Sequence, residues 1–186
     1  MSYLTTLKEM RTKRIMKPVT ITKTQLEDVI GHLTYMQSAM NAQVLRYVII
    51  DHADEKIFNM TNLPQSHEVA LSNQPSAYIV IGTLGDKPDT KVLGMDIGIA
   101  LEIIKETLFE QKLDCVSINS VDCDQLKSYL NIAAYYPKNI VAIGASDMKV
   151  TVEVGSSKTG TDKLADGTHI VYKLAKDTLI LKPDIK

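Results

Sequence analysis

From Met95 to about Gln111 the chain carries apolar residues at helical spacing on two sides. Ile97, Leu101, Ile104 and Leu108 form one stripe, while Ile99, Ile103 and Phe109 add a second. A helix that is apolar on two sides must be buried on two sides. In a monomer that means a central core helix, with the remaining elements arranged around it.

Those elements are shorter. Leu4 to Met10 reads as a helix. Thr24-Gln25-Leu26-Glu27 has the form of a capping box, in which a hydroxyl and a side-chain acceptor satisfy the first backbone donors. Leu26, Val29, Ile30 and Leu33 then recur at helical spacing. Val44 to Ile50 is a strand-like run, Asp51 to Lys56 a turn, and Phe58 to Asn73 a loop with one short helix around Ser66 to Leu71. Strands are expected at Ala77 to Gly82, Cys115 to Asn119 and Ile140 to Gly144. Asp122-Cys123-Asp124 offers a cap for a helix ending near Leu130. Gly155 to Thr161 is polar and glycine-bearing, a flexible loop. Its Lys158-Thr159 pair lacks the spacing and the strand–helix context of a P-loop. His169 to Leu174 and Thr178 to Leu181 read as two short strands. Some connections are too short for regular crossovers, so the fold class predicted is α+β, with helices around a central mixed or antiparallel sheet.

A chain of 186 residues suits one domain, or one domain that completes itself by dimerising. The formal net charge of −1 and the scattered cations leave no basic face for nucleic acid. Cys115 and Cys123 are too few for a disulfide framework and lack the paired spacing of a zinc site. The four histidines sit at no metal-ligand spacing, so no metal site is expected. No signal-peptide core and no apolar run near the roughly 20 residues that span a bilayer are present, which reads as a soluble cytoplasmic protein with no membrane partner.

Two segments carry the chemistry. Met10-Arg11-Thr12-Lys13-Arg14-Ile15-Met16-Lys17-Pro18 places three cations and a hydroxyl in four consecutive positions, a set suited to phosphate or another anion. On composition alone a short basic cluster is more often a solvated surface. Ser38-Ala39-Met40-Asn41-Ala42-Gln43 is a run of small residues and amides directly before an apolar strand. It lets backbone approach a flat polar ring whose edge the amides can hydrogen-bond.

In this order and spacing the two segments resemble the nitroreductase-like family of FMN-dependent oxidoreductases. The likeness continues through Pro75-Ser76-Ala77-Tyr78-Ile79-Val80-Ile81-Gly82 and Met95-Asp96-Ile97-Gly98-Ile99-Ala100. It also takes in Leu113-Asp114-Cys115-Val116-Ser117-Ile118-Asn119-Ser120 and Asn139-Ile140-Val141-Ala142-Ile143-Gly144. The resemblance implies one FMN-binding domain over residues 1–186 and an intertwined homodimer with FMN sites at the subunit interface. The long helix would pack on its own sheet and on the partner, and a C-terminal segment of about 165–186 would extend across the dimer.

The resemblance also implies roles. Thr12 falls on the phosphate-binding hydroxyl, and Arg14 on the cation beside the pyrimidine edge. Ser38 and Ala39 would lie along the ring, Asn41 would bond to it and Gln43 would support the turn. Ser117 and Asn119 fall on a loop crossing the ring. Three positions depart from the pattern: Met10 replaces the first phosphate Arg, Gln37 a proline, and Lys112-Leu113-Asp114 a Gly-Leu-Gly. Arg11, or Lys158 from the late loop, would then supply the missing phosphate contact. No protein nucleophile or acid–base pair is required, because the flavin carries the hydride. The implied activity is transfer of hydride from NAD(P)H through FMN to a nitroaromatic, quinone or similar electron-poor acceptor, by ping-pong alternation. A non-catalytic flavin-binding protein on the same fold is the alternative.

Overall fold

Ala77-Tyr78-Ile79-Val80-Ile81 is buried along its whole length, although strand side chains alternate between faces. Both faces must therefore be covered. The computed structural model describes residues 3–61, 73–155 and 157–181, and it shows how. Strand β2 (Ala77–Leu84) lies inside a four-stranded antiparallel sheet with β1 (Leu45–Ile50), β3 (Asp114–Ile118) and β4 (Tyr135–Gly144), in the order β1-β2-β4-β3.

One face buries Ala77, Ile79, Ile81, Cys115, Val141 and Ile143 under α2 (Lys23–Leu33) and α4 (Lys91–Glu110). The other buries Tyr78, Val80, Val116, Ile118, Ile140 and Ala142 with Ile57 of α3 (Glu55–Met60) and Leu126 of α5 (Cys123–Leu130). The short helix α1 (Tyr3–Glu9) opens the chain. The α+β architecture expected from the sequence is the one observed.

The capping box of α2 sits two residues before the expected one. Thr22 Oγ1 accepts the Gln25 N–H (3.2 Å), and Gln25 Oε1 accepts the Thr22 N–H (2.9 Å). Both registers fit the hydroxyl-x-x-Glu/Gln pattern. This one also places Ile21 before the cap and Leu26 on the fourth helical residue, both buried in one cluster, as a hydrophobic staple requires. Helix α4 starts four residues earlier than expected, because Thr90 Oγ1 accepts the Leu93 N–H (3.1 Å). Its deepest residues are Leu93, Asp96, Ala100, Ile104, Thr107 and Leu108, two of them polar and absent from the expected stripes. Ile99, placed in the second stripe, is exposed.

Of the turn expected at Asp51–Lys56, residues 51–54 are irregular with a bend at His52, while Glu55 and Lys56 already belong to α3, which Asp54 caps by accepting the Ile57 N–H on Oδ1 (3.0 Å). The helix expected around Ser66–Leu71 lies outside the described residues. Asp122 caps α5 as expected, accepting the Gln125 N–H (2.9 Å). Strand β4 begins five residues before Ile140. Its register slips by one residue opposite Ile81–Gly82, a bulge that accommodates Pro137.

The chain divides into two compact units, Met1–Ser146 and Asp147–Lys186. The second holds a three-stranded sheet of β5 (Val150–Val154), β6 (Gly160–Lys163) and β7 (His169–Lys173), with β7 central, parallel to β5 and antiparallel to β6. The expected loop Gly155–Thr161 thus runs into β6. Thr178 and Leu179 of the expected strand Thr178–Leu181 instead close a single helical turn, α6 (Lys176–Leu179), in which the Thr178 N–H donates to the Ala175 carbonyl (3.0 Å). None of the described residues of this unit is buried. Among the described residues no helix is long and apolar enough to cross a membrane, and no group of three His, Cys, Asp or Glu side chains could hold a metal.

Candidate functional site

The basic segment leaves α1 and is stitched to one end of the sheet. The Lys13 N–H donates to the Cys115 carbonyl (3.3 Å) and the Lys17 N–H to the Ala145 carbonyl (2.8 Å). Between them the Met16 side chain is 1% exposed and lies on Gly144, where an added Cβ would stand 3.0 Å from its sulfur. That close approach explains why β4 ends in glycine.

The four side chains from Arg11 to Arg14 are used differently. Arg11 folds back on α1, and its Nη1 donates to the carbonyls of Leu7 (2.7 Å) and Met10 (2.5 Å) while its buried Nε finds no acceptor among the described residues. Lys13 Nζ lies 3.7 Å from Asp114 Oδ1. Thr12 and Arg14 are exposed and have no hydrogen bond or ion pair among the described residues. A hydroxyl and a planar guanidinium with unused donors, two positions apart on a tethered backbone, fit a phosphate group.

The small-residue segment is a tight turn. Ser38 is extended, and one 3-10 turn covers Ala39–Asn41. Met40, Asn41 and Gln43 all lie in the left-handed region (φ 53, 53 and 46°). Such non-glycine residues are uncommon outside sites where surrounding structure holds them. The turn holds itself: the Gln43 N–H donates to Ser38 Oγ (3.1 Å), Gln43 Nε2 to Asn41 Oδ1 (2.9 Å) and Arg46 Nη1 to the Gln43 carbonyl (2.7 Å). One bond ties it to the helix layer, from the Ala39 N–H to Asp96 Oδ1 of α4 (3.3 Å). Tyr47 stands close enough to Asp96 that burial, reinforced by that carboxylate, pushes its phenol up to about 12.

Ser117 and Asn119 belong to a third place. Ser117 Oγ donates to Asn139 Oδ1 (3.3 Å), and Asn139 Nδ2 donates to Asn119 Oδ1. Asn119 lines a cleft of about 810 Å³ with Thr90, Gly94, Ile97, Gly98 and Lys138. Lys138 pairs with Asp89 (2.9 Å). Cys123 also lines this cleft; burial raises its thiol pKa, against a smaller lowering by Lys138. Lys158 lies in the second unit, with its Nζ 2.5 Å from Asp162 Oδ2 and 4.8 Å from the Tyr172 ring centre. The Asp162 bond raises its pKa.

Strand register measures the spacing of these parts. Cys115 pairs with Ile143 and Ile143 with Ala77, so the basic segment sits at the Ala77 end of β2. Leu45, just after the small-residue turn, pairs with Thr83 at the other end. Six strand residues separate the two ends, about 20 Å. Helix α4 gives the same answer. Asp96, which holds Ala39, is 14 residues before Glu110, about 21 Å along the axis, and β3 starts just past that helix end. Ser117 and Asn119 lie at the far end of β3 from the Lys13–Cys115 bond. One chain does not bring the basic segment and the small-residue turn together.

Sequence reasoning missed Asp96, Lys138 and Asn139. Asp96 had a signal, an acid at core spacing between Leu93 and Ala100. The other two are placed by the β4 bulge, which no local pattern announced.

No family sequence model matches the chain, and no curated protein sequence does. Solved structures match throughout. A nitroreductase family protein from Streptococcus pneumoniae TIGR4 superposes with a TM-score of 0.70 at 12% identity, covering 98% of this chain and 100% of that one. A nitroreductase family protein from Clostridium novyi NT gives 0.65 at 18% identity over 79% of this chain and 87% of that one. An FMN-dependent nitroreductase from Clostridium difficile R20291 gives 0.61 at 23% identity over 77% and 87%. The fold is that of the nitroreductase family proteins.

Proposed function

We propose that this nitroreductase-fold chain is one subunit of a homodimeric FMN oxidoreductase that takes hydride from NADH or NADPH and passes it to a nitroaromatic, quinone or similar electron-poor acceptor. The observation that carries the reading is the separation just measured. The basic segment and the small-residue turn, which we read as anion-binding and ring-binding half-sites, lie about 20 Å apart on one chain. Two copies bring them together if the basic segment of one faces the turn of the other. The exposed face Val92–Met95–Ile99 of α4 offers the contact. The second unit, which has exposed Val154 and Leu164 and no buried described residue, gains a covered face if its segment from about residue 165 reaches onto the partner.

Within that site the residues divide the work. Thr12 donates its hydroxyl to phosphate, and Arg14 supplies a fixed positive charge that favours the reduced, more negative form of what is bound beside it. Arg11 adds a phosphate contact once it leaves the Leu7 and Met10 carbonyls. Ser38 and Ala39 present a small surface to the ring, Asn41 offers an amide to its edge, and Gln43 keeps the turn in shape. Ser117 and Asn119 border the approach along β3. When bound, FMN supplies the hydride chemistry, so the protein holds, orients and charges the site rather than attacking the substrate.

The test is spectroscopic. The purified protein should show flavin absorption, or acquire and keep it after FMN addition and desalting, and should elute as a dimer. NADH or NADPH should bleach the flavin without oxygen, and an added quinone should restore it. A dimer that keeps flavin but is not bleached would establish the second reading, a non-catalytic flavin-binding protein. The engagement of Arg11 with Leu7 and Met10 and the methionine at position 10 favour that reading, since both thin the phosphate grip. A protein that keeps no flavin would end both readings.

A further inference from the structure

Asp96 stands where an apolar residue would be expected. It occupies the deep face of α4 between Leu93 and Ala100 and is 4% exposed. A carboxylate taken out of water is unfavourable unless donors or a cation compensate. Among the described residues its one hydrogen bond comes from the Ala39 N–H, and no cation is paired with it. That single donor belongs to the turn with three left-handed residues. Apart from this bond, the side-chain bonds that shape the turn are made within itself or to Arg46.

We infer that Asp96 is a positioning residue of the ring-binding turn: its carboxylate pins Ala39, and with it Met40 to Gln43, to α4. The inference rests on the reading of this turn as the ring half-site. Its consequence is mechanical. The helix that holds the turn also carries the exposed Val92–Met95–Ile99 face, so the half-site is set in register with the surface offered to the second copy. Loosening the bond would leave the helix and the dimer face in place while the turn lost its anchor. The charge also reaches Tyr47, whose phenol Asp96 helps hold protonated.

Two variants cut the bond from opposite sides. Asp96→Leu removes the acceptor and leaves an apolar group in an apolar place. Ala39→Pro removes the donor and sets its Cδ where the N–H pointed, so it also pushes the carboxylate away. Ala39 is the first residue of its 3-10 turn and Ser38 before it is extended (φ −137°, ψ 157°), a conformation proline accepts. Asp96→Asn keeps an acceptor oxygen. Hydrogen exchange of the 38–43 segment is measured on flavin-free protein, and FMN affinity separately. Asp96→Leu and Ala39→Pro should each speed exchange of this segment at least tenfold, leave α4 protected, and weaken FMN binding at least tenfold. Asp96→Asn should stay within about threefold of the parent on both readouts. Unchanged exchange in Ala39→Pro, or equal losses in Asp96→Asn and Asp96→Leu, would overturn the inference. If Asp96→Leu does not fold, Asp96→Ala, which removes the acceptor and adds no bulk, takes its place in the comparison with Asp96→Asn. A parent protein that takes up no FMN would sink the flavin reading, and the exchange comparison would then decide by itself whether Asp96 clamps the turn.

Discussion

Arg11 and Arg14 are three residues apart in a run of cations, yet their surroundings differ. Arg11 spends its guanidinium on the carbonyls that end α1, whereas Arg14 makes no bond among the described residues. A charged hydrogen bond to phosphate is worth about 1.5–3 kcal/mol. Arg14→Ala should therefore weaken FMN binding by about 10- to 150-fold in a fluorescence titration. Arg11→Ala should weaken it less, because its donors must first be withdrawn from Leu7 and Met10. Equal losses would mean that Arg11 turns outward when ligand binds.

Buried acids set a second residue-scale expectation. Burial pushes Cys115 and Tyr47 up to about 12, and raises Tyr78 and Tyr135 as well. An acid whose folded pKa exceeds its unfolded value adds stability that is complete below the unfolded value and is lost as pH climbs to the folded one. The unfolded values are 9.0 for the thiol and 10.0 for the phenols. The folded state thus binds more protons between about pH 9 and 12, and stability must fall with rising pH there. The urea midpoint should be lower at pH 11 than at pH 8; a constant midpoint would show that these groups are better solvated than their burial implies.

At the scale of elements, β2 is the most constrained. Its Gly82 lies at the bulge against β4, where an added Cβ would stand 2.4 Å from the Tyr136 carbonyl oxygen and 2.7 Å from the Tyr135 ring. Backbone cannot yield as a flexible side chain can. Gly82→Ala should cost about 1–3 kcal/mol, the usual range for overpacking, seen as a drop in denaturation midpoint. Gly98→Ala, with nothing within 4 Å, serves as the contrast in isolated subunits. The bulge also shows where sequence reading stops. Ala77–Ile81 was legible because a continuous apolar run can only be a doubly covered strand or a core helix. The start of β4 at Tyr135 was not, because Pro137 and Lys138 argue against a strand unless a bulge excuses them. The α2 cap was decidable: Ile21 and Leu26 select Thr22, whereas capping at Thr24 would place Lys23 and Asp28 in the staple. The apolar stripes of α4 were read from apolar residues alone, and that hid Asp96 and Thr107. For the site, residue types and order were visible in the chain. The 20 Å separation was not, since it depends on which strand ends pair.

At the scale of the whole molecule, that separation makes a prediction that no single-chain site could satisfy. If each site takes Thr12 and Arg14 from one copy and Asn41 from the other, a dimer of Arg14→Ala chains has two broken sites, and so has a dimer of Asn41→Ala chains. A mixed dimer is different. One of its sites combines both lesions, while the other combines the intact basic segment of the Asn41→Ala chain with the intact turn of the Arg14→Ala chain. Unfolding and refolding an equal mixture gives half mixed dimers by random pairing, each with one good site of two. One quarter of all sites should therefore regain the parent's FMN affinity, and should be bleached by NAD(P)H at FMN concentrations too low to fill either variant alone. Tagging the two chains differently and isolating the mixed species should raise that fraction to one half. Recovery fixes the geometry as shared between copies. An absence of recovery, in mixed dimers shown to form, would mean that the basic segment and the turn serve one chain, which the register of β2 and the length of α4 argue against.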